Sequence, residues 1–178
     1  VTTDSNTTVV NNNNITTTGS AGSNYGLYLF TRVTSNNVSN NVINTSGTSI
    51  NYGILLYTSV NDTLILNNTI ASGGSSSDNS GINVVTNSFR NNITQNRISN
   101  TSGTANNYGI RLDTDVNLTV IDRNNVTASG TTTNNYGIWI QTPTGTIAES
   151  IHVAGGNVTL IASVGVGAVP YAAQPASS

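Results

Sequence analysis

The sequence predicts an all-β solenoid of about five to six stacked coils, each carrying three short strands in 27–28 residues. Three observations lead there. A six-residue phrase reads NYGLYL from Asn24, NYGILL from Asn51, NSGINV from Asn79, NYGIRL from Asn107 and NYGIWI from Asn135, at intervals of 27, 28, 28 and 28 residues. A fixed period of roughly 20 to 50 residues marks a repeat array, in which each unit buries its apolar face against the next. Within each unit, runs rich in β-branched residues alternate apolar with polar and are separated by Ser-Gly and Asn-Asn clusters, and no stretch shows a helical stripe.

Composition narrows the partners before any motif is read. The chain has 178 residues, enough for one domain with a real core. Only 7% of its residues are charged and its net charge is −2, which offers no electrostatic handle to nucleic acid or to an anionic membrane. Polarity is carried instead by 30 Asn and 49 Ser plus Thr. The regular spacing of Ile, Leu and Val through these polar residues argues against disorder. With no cysteine, neither a disulfide framework nor a Cys-based zinc site is available. The lack of methionine and the start at Val1 lead to the expectation of a processed, secreted or cell-surface protein. No apolar run approaches the roughly 18 residues of a spanning helix.

Taken in order, residues 1–23 lack the phrase but match the tail of a repeat, with Asn6 on Asn117, Val9 on Val120 and Ile15 on Val126. They are read as an incomplete first coil. From Asn24 onward each unit holds three extended runs, for instance Tyr108 to Thr114, Asn117 to Ile121 and Asn125 to Ser129. Three apolar columns result: Leu27, Ile54, Ile82, Ile110, Ile138; then Leu29, Leu56, Val84, Leu112, Ile140; then Ile15, Val42, Ile70, Ile98, Val126. Stacked about 4.8 Å apart, they would form the interior. Thr31, Thr58, Thr86, Thr114 and Thr142 are expected to stack on the inward parity at the strand end, which disfavours an ice-binding face. The coils are expected to span 1–153. The more apolar segment 154–178 reads as a cap or docking segment, because the ends of solenoids must hide an open face.

Two invariant columns shape the turns. Gly26, Gly53, Gly81, Gly109 and Gly137 call for either a positive φ or close approach of the next coil. Asn24, Asn51, Asn79, Asn107 and Asn135 can satisfy turn backbone and stack amide on amide. The 27–28-residue coil, its three strands, the N-Y-G-I-x-L phrase and the stacked Asn turns together resemble the right-handed parallel β-helix proteins of the pectate-lyase-like class. That resemblance covers roughly 1–153 and implies right-handed coiling, with functions ranging over lyases, hydrolases, spikes, adhesins and surface-layer components.

Enzymes of the resembled class use outward acidic residues, often with calcium or a basic side chain. Arg111, Asp113 and Asp115, placed outward on one strand by period-2 parity, are the only candidates for such work. The competing reading is a solvated ion pair worth little. His152 is the single histidine, so no His cluster is available for a metal and no cofactor is expected. The same parity makes Tyr28, Phe30, Leu55, Tyr57 and Val85 an outward apolar cluster, which would be covered by the C-terminal segment, by another subunit or by a ligand. Trp139 is either a sugar-stacking platform or an interface residue. Asn6, Asn61 and Asn117 head sequons at one repeat position and are the first candidates for N-glycans. The resulting expectation is a non-enzymatic, extracellular structural protein whose partners are copies of itself, joined head to tail, with side-by-side contact as a second mode. A glycan-binding adhesin or spike module is the alternative and a polysaccharide lyase or hydrolase the third.

Overall fold

The computed structural model of the chain describes residues 1–75, 78–101, 103–104, 106–131 and 135–141, together with the backbone of a strand at 152–161. The architecture is an all-β parallel solenoid of about four turns, fewer than the five to six expected. The first strands are β1 (Val9–Asn11), β2 (Asn14–Gly19) and β3 (Asn24–Phe30), followed by β4 (Asn37–Ser39), β5 (Val42–Gly47) and β6 (Asn51–Tyr57). Next come β7 (Leu64–Leu66), β8 (Thr69–Gly74), β9 (Asn79–Val85), β10 (Ser88–Phe89), β11 (Asn92–Thr94) and β12 (Arg97–Thr101). The last are β13 (Asn107–Leu112), β14 (Val116–Asn117), β15 (Val120–Ser129), β16 (Asn135–Ile140) and β17 (His152–Ile161).

Every pairing is between equivalent strands of neighbouring coils, and every one is parallel. The NYG strands stack as β3, β6, β9, β13 and β16. A second wall contains both the short strands β1, β4, β7 and β11 and the longer β2, β5, β8 and β12, which meet in the continuous β15. β17 adds to β15 in parallel from Val120↔His152 to Ser129↔Ile161, so this rung runs across position 153. The side chains of that rung, including His152, and residues 162–178 of the expected cap lie outside the described residues.

The interior is built chiefly of stacked aliphatic columns. Leu29, Ile54, Leu56, Ile82, Val84, Ile110 and Leu112 from the NYG wall face Ile43, Ile65, Ile70, Ile93, Ile98, Ile121 and Val126 from the other, all essentially buried. One expected member is corrected. The column runs Ile15, Ile43, Ile70, and Val42 is 44% exposed on the outside. The cause is the position of a one-residue deletion. It falls in the turn 48–50, after β5, so β5 keeps its 28-residue offset from β2 while β6 is 27 from β3.

The glycine column is explained by approach, not by φ, because the only positive-φ glycine described is Gly22. A Cβ on Gly81 would collide with the Ile98 Cγ2 methyl and come 2.7 Å from the Gly109 carbonyl oxygen. The same clash recurs at Gly26, Gly53 and Gly109 against Ile43, Ile70 and Val126. The corners are instead built from left-handed residues that are not glycine. Three columns hold fifteen of them: Asp4, Arg32, Ser59, Asn87, Asp115; Thr7, Ser35, Asp62, Arg90, Leu118; and Asn12, Asn40, Asn67, Gln95, Arg123. The corner amides reach the next coil: Asn40 N–H donates to the Leu66 carbonyl and Asn67 N–H to the Thr94 carbonyl. Those rung-to-rung bonds hold a conformation costing roughly 1–2 kcal/mol at a non-glycine residue. Thr31, Thr58 and Thr86 also have positive φ and are half-buried corner residues, not inward strand residues as expected; Thr142 lies outside the described residues.

Two amide ladders run the length of the coils. The expected one joins Asn24 to Asn51, Asn79, Asn107 and Asn135 by Nδ2–H to Oδ1 bonds of 3.0, 2.9, 3.2 and 2.8 Å. A second, through Asn13, Asn41, Asn68, Asn96 and Asn124, has successive bonds of 3.0, 2.9, 3.0 and 3.0 Å. In it each Oδ1 from Asn41 onward also accepts the backbone N–H of the preceding rung's Asn. Asn96 thus accepts both Asn68 donors and gives its own Nδ2–H groups to Ile65 O and Asn124 Oδ1.

Asn96→Ala should lower unfolding stability in urea by about 2–4 kcal/mol, since it strands buried donors and acceptors on both adjacent rungs; a loss below about 1 kcal/mol would show that the ladder is incidental. Gly81→Ala should cost about 3 kcal/mol through forced overpacking. Gly22→Ala, which meets nothing within 4 Å, should cost only about 1 kcal/mol from its φ.

Candidate functional site

The NYG wall has one face in the core and one outside, and the outer face is where repeat positions vary. Alternation along each NYG strand is broken at the glycine. Gly26 and Leu27 both face inward, so Tyr25 and Tyr28 lie together outside with ring centroids 5.1 Å apart. The rung registers skip the glycines in the same way on every pair. Three outer columns result. The first is Tyr25, Tyr52, Ser80, Tyr108, Tyr136 and the second Tyr28, Leu55, Asn83, Arg111, Trp139. The third begins Phe30, Tyr57, Val85 and continues into the turn after β13.

At the N-terminal end the outer face is an aromatic sheet. Tyr25 stacks on Tyr52 at 5.7 Å and Phe30 on Tyr57 at 5.8 Å, while Tyr28 meets Phe30 and Tyr57 by tilted and edge contacts at 5.3 and 6.2 Å. Contacts of this kind add about 0.5–1.5 kcal/mol each beyond burial. The expected cluster of Tyr28, Phe30, Leu55, Tyr57 and Val85 is therefore contiguous, with one correction. Leu55 is only 3% exposed, flanked by larger rings, and contributes nothing to an open patch. Tyr57, at 41%, is its most exposed member.

At the other end the face turns polar around Arg111. Its guanidinium lies 5.0 Å from the Tyr108 ring centre and 5.1 Å from that of Trp139, capping two rings whose own centres are 5.6 Å apart. One terminal nitrogen pairs with Asp113 Oδ2 at 2.9 Å and the other approaches Asp78 Oδ2 at 3.6 Å. Asp78 also accepts Asn106 Nδ2–H at 2.8 Å. The expected trio is not assembled. Asp113 immediately follows β13 and pairs with Arg111, but Asp115 sits at a left-handed corner with φ 58 and is not on the strand. Asp78 takes its place in the cluster. It was missed because it precedes its strand, where alternation has not begun.

The rung between the two aromatic groups, where Ser80 interrupts the tyrosine column, is not among the expected site residues. Ser80 and Asn83 are buried, at 0 and 2% exposure, and Ser80 Oγ, Asn83 Oδ1 and Arg111 Nε have no hydrogen-bond partner. The signal was present in the phrase itself, as NSGINV among four NYG copies. Tyr52 and Tyr108 flank this rung, and desolvation raises both phenols; that of Tyr108 is pushed up to about 12. Among the described residues no group of three or more His, Cys, Asp or Glu could hold a metal ion, and no helix is long and apolar enough to cross a membrane.

Two of the three sequon asparagines are tied into the coil by their side-chain oxygens. Asn6 Oδ1 accepts Thr34 Oγ1–H at 2.8 Å, Asn61 Oδ1 accepts Phe89 N–H at 2.7 Å, and Asn117 Oδ1 is buried without a partner. Neither a protein-family model nor a curated protein nor a solved structure matches this chain. The coil geometry is a parallel β-solenoid, consistent with a parallel β-helix repeat, and nothing beyond that architecture ties the chain to the pectate-lyase-like class.

The raised phenols give a signed pH dependence. An unfolded tyrosine loses its proton near 10, whereas folded Tyr108 holds it to about 12. The stability tied to this proton is fully present below pH 10 and is lost as pH rises toward 12. Melting temperature should therefore fall across that window, and Tyr108→Phe should flatten part of the fall. An unchanged profile in the variant would remove Tyr108 as its source.

Proposed function

We propose that this chain is a secreted, structural β-solenoid protein that associates with copies of itself end to end, forming an extracellular filament, sheath or surface layer. The observation that supports it most directly is the sameness of the rungs. Each coil offers its neighbour the same strand edge, the same corner amides and the same pair of Asn side chains, so an open coil face presents to another copy what inner coils present to each other. A head-to-tail contact is heterologous, and where its rotation does not close it produces an open fibre. Scarcity of charge fits the same reading, because little electrostatic repulsion opposes close approach of copies. N-glycans on Asn6, Asn61 or Asn117 belong with the extracellular placement.

Purified protein at rising concentration should give rods or fibres by negative-stain microscopy, and aligned fibres should diffract at about 4.8 Å along their axis. Sedimentation as a monomer throughout the millimolar range would sink this reading.

A further inference from the structure

The aromatic end of the outer face is one connected surface. Tyr25, Tyr28, Phe30 and Tyr57 touch in sequence with ring centroids 5.1 to 6.2 Å apart, all on the first two rungs of the NYG wall. Tyr57 is 41% exposed and the other three are half-buried. On these rungs the outer columns hold only Tyr25, Tyr52, Tyr28, Leu55, Phe30 and Tyr57, so the surface carries no charge. A contiguous apolar surface of this kind marks a contact with another segment or molecule.

The chain itself supplies a matching segment. Residues 162–178, which follow β17 and lie outside the described residues, have no charged side chain and include Val164, Val166, Val169, Pro170 and Tyr171. Their starting point is fixed, because β17 stacks on β15 with Ile161 on Ser129. In the preceding coil six residues carry the chain from Ser129 to Asn135 at the start of β16. A crossing of the same length brings the chain to the NYG wall near residue 167 and leaves eleven residues, 168–178. From β16 back to β3 is four rungs, about 19 Å, and eleven extended residues reach about 36 Å. The route passes Arg111 and Asp113. These are paired with each other at 2.9 Å, with side chains only 17 and 19% exposed, so an uncharged segment strips little water from either.

We propose that residues 168–173 of the same chain lie across Tyr28, Phe30 and Tyr57 and cover the aromatic face. Val169, Pro170 and Tyr171 supply apolar surface to the rings, and the alanines on either side allow close approach. Attachment to the rod gives the segment an effective concentration of about millimolar, which favours it over a second copy at micromolar concentration. The contact is made within one chain and does not depend on self-association. Its consequence for a rod is that the aromatic face is withheld from side-by-side contact, while the ends stay free to join.

The chain has no cysteine, so introduced thiols report without ambiguity. Val85→Cys places one on the third outer column, one rung from Tyr57, and Ala172→Cys places the other on the segment. At low micromolar concentration a short bismaleimide should join the two within one chain, seen as a monomer of altered mobility in a denaturing gel. Val9→Cys, 66% exposed on the outer face of the other wall, should cross-link to Ala172→Cys about fivefold less. Phe30→Ser with Tyr57→Ser should lower the Val85 cross-link about fivefold while the strand circular dichroism is kept. Val169→Asp with Tyr171→Asp changes no residue of the described coils; it should lower the cross-link equally and raise bis-ANS fluorescence about twofold. Cross-links formed only between chains would assign the face to a second copy. That result, no cross-link at all, a Val9 yield equal to that of Val85, or a yield untouched by both double variants would overturn the proposal.

Discussion

Axial stacking at one strand spacing is the constraint on which the rest of this molecule depends. Every side chain has its own repeat equivalent about 4.8 Å above and below it, so a residue type is acceptable only if it tolerates itself as a neighbour. Asparagine does so better than any other polar residue, because its amide is both donor and acceptor and a column of them forms a closed chain of bonds. The Asn13 to Asn124 ladder shows the full use of that property, since Asn41, Asn68 and Asn96 each accept a side-chain and a backbone donor while giving protons to a rung on either side. Aspartate in the same column would repel itself. Aliphatic side chains tolerate themselves as well, and the core is the other place where columns stay uniform.

The low charge has the same origin. Two like charges one rung apart repel by about 0.9 kcal/mol even in water, and by more where solvent is partly excluded. Where two charges meet on adjacent rungs of a corner column, their signs are opposite. Arg32 pairs with Asp4 and Arg90 with Asp62, each one coil away with Nε to Oδ1 at 2.7 Å. The guanidinium beside each aspartate holds its carboxyl below the usual range, but both pairs are exposed and such pairs contribute little to stability. Their role is to let charge into a stack that otherwise excludes it.

The repeat and the core were legible because both depend on residue identity. The phrase from Asn24 to Asn135 fixed the coil, and Leu27 or Ile54 could be assigned inward from alternation alone. The corners were not legible, because they depend on backbone bonds that any side chain permits. One corner column reads Thr7, Ser35, Asp62, Arg90, Leu118, five residue types in the same left-handed conformation. Val42 was misplaced for a related reason: a deletion within the turn 48–50 changes the offset only of residues downstream, and the turn itself has no fixed sequence. On the outer face, parity correctly grouped Tyr28 with Phe30 and Tyr57, but it could not foresee that the glycine kink brings Tyr25 and Tyr28, three residues apart, to the same side.

That kink also explains why the outer face is the part of the molecule free to acquire an activity. Gly81 lets the chain pack against Ile98 and turn two consecutive residues inward, so Ser80 and Asn83 are set side by side on the outside of one rung. Both positions differ from their neighbours above and below, yet the β6, β9 and β13 registers are undisturbed. Substitution there changes what packs beneath the flanking rings without touching ladder, corner or core. The residues that make the rod and those that give it an individual surface are thus separated at the level of single positions within a six-residue phrase.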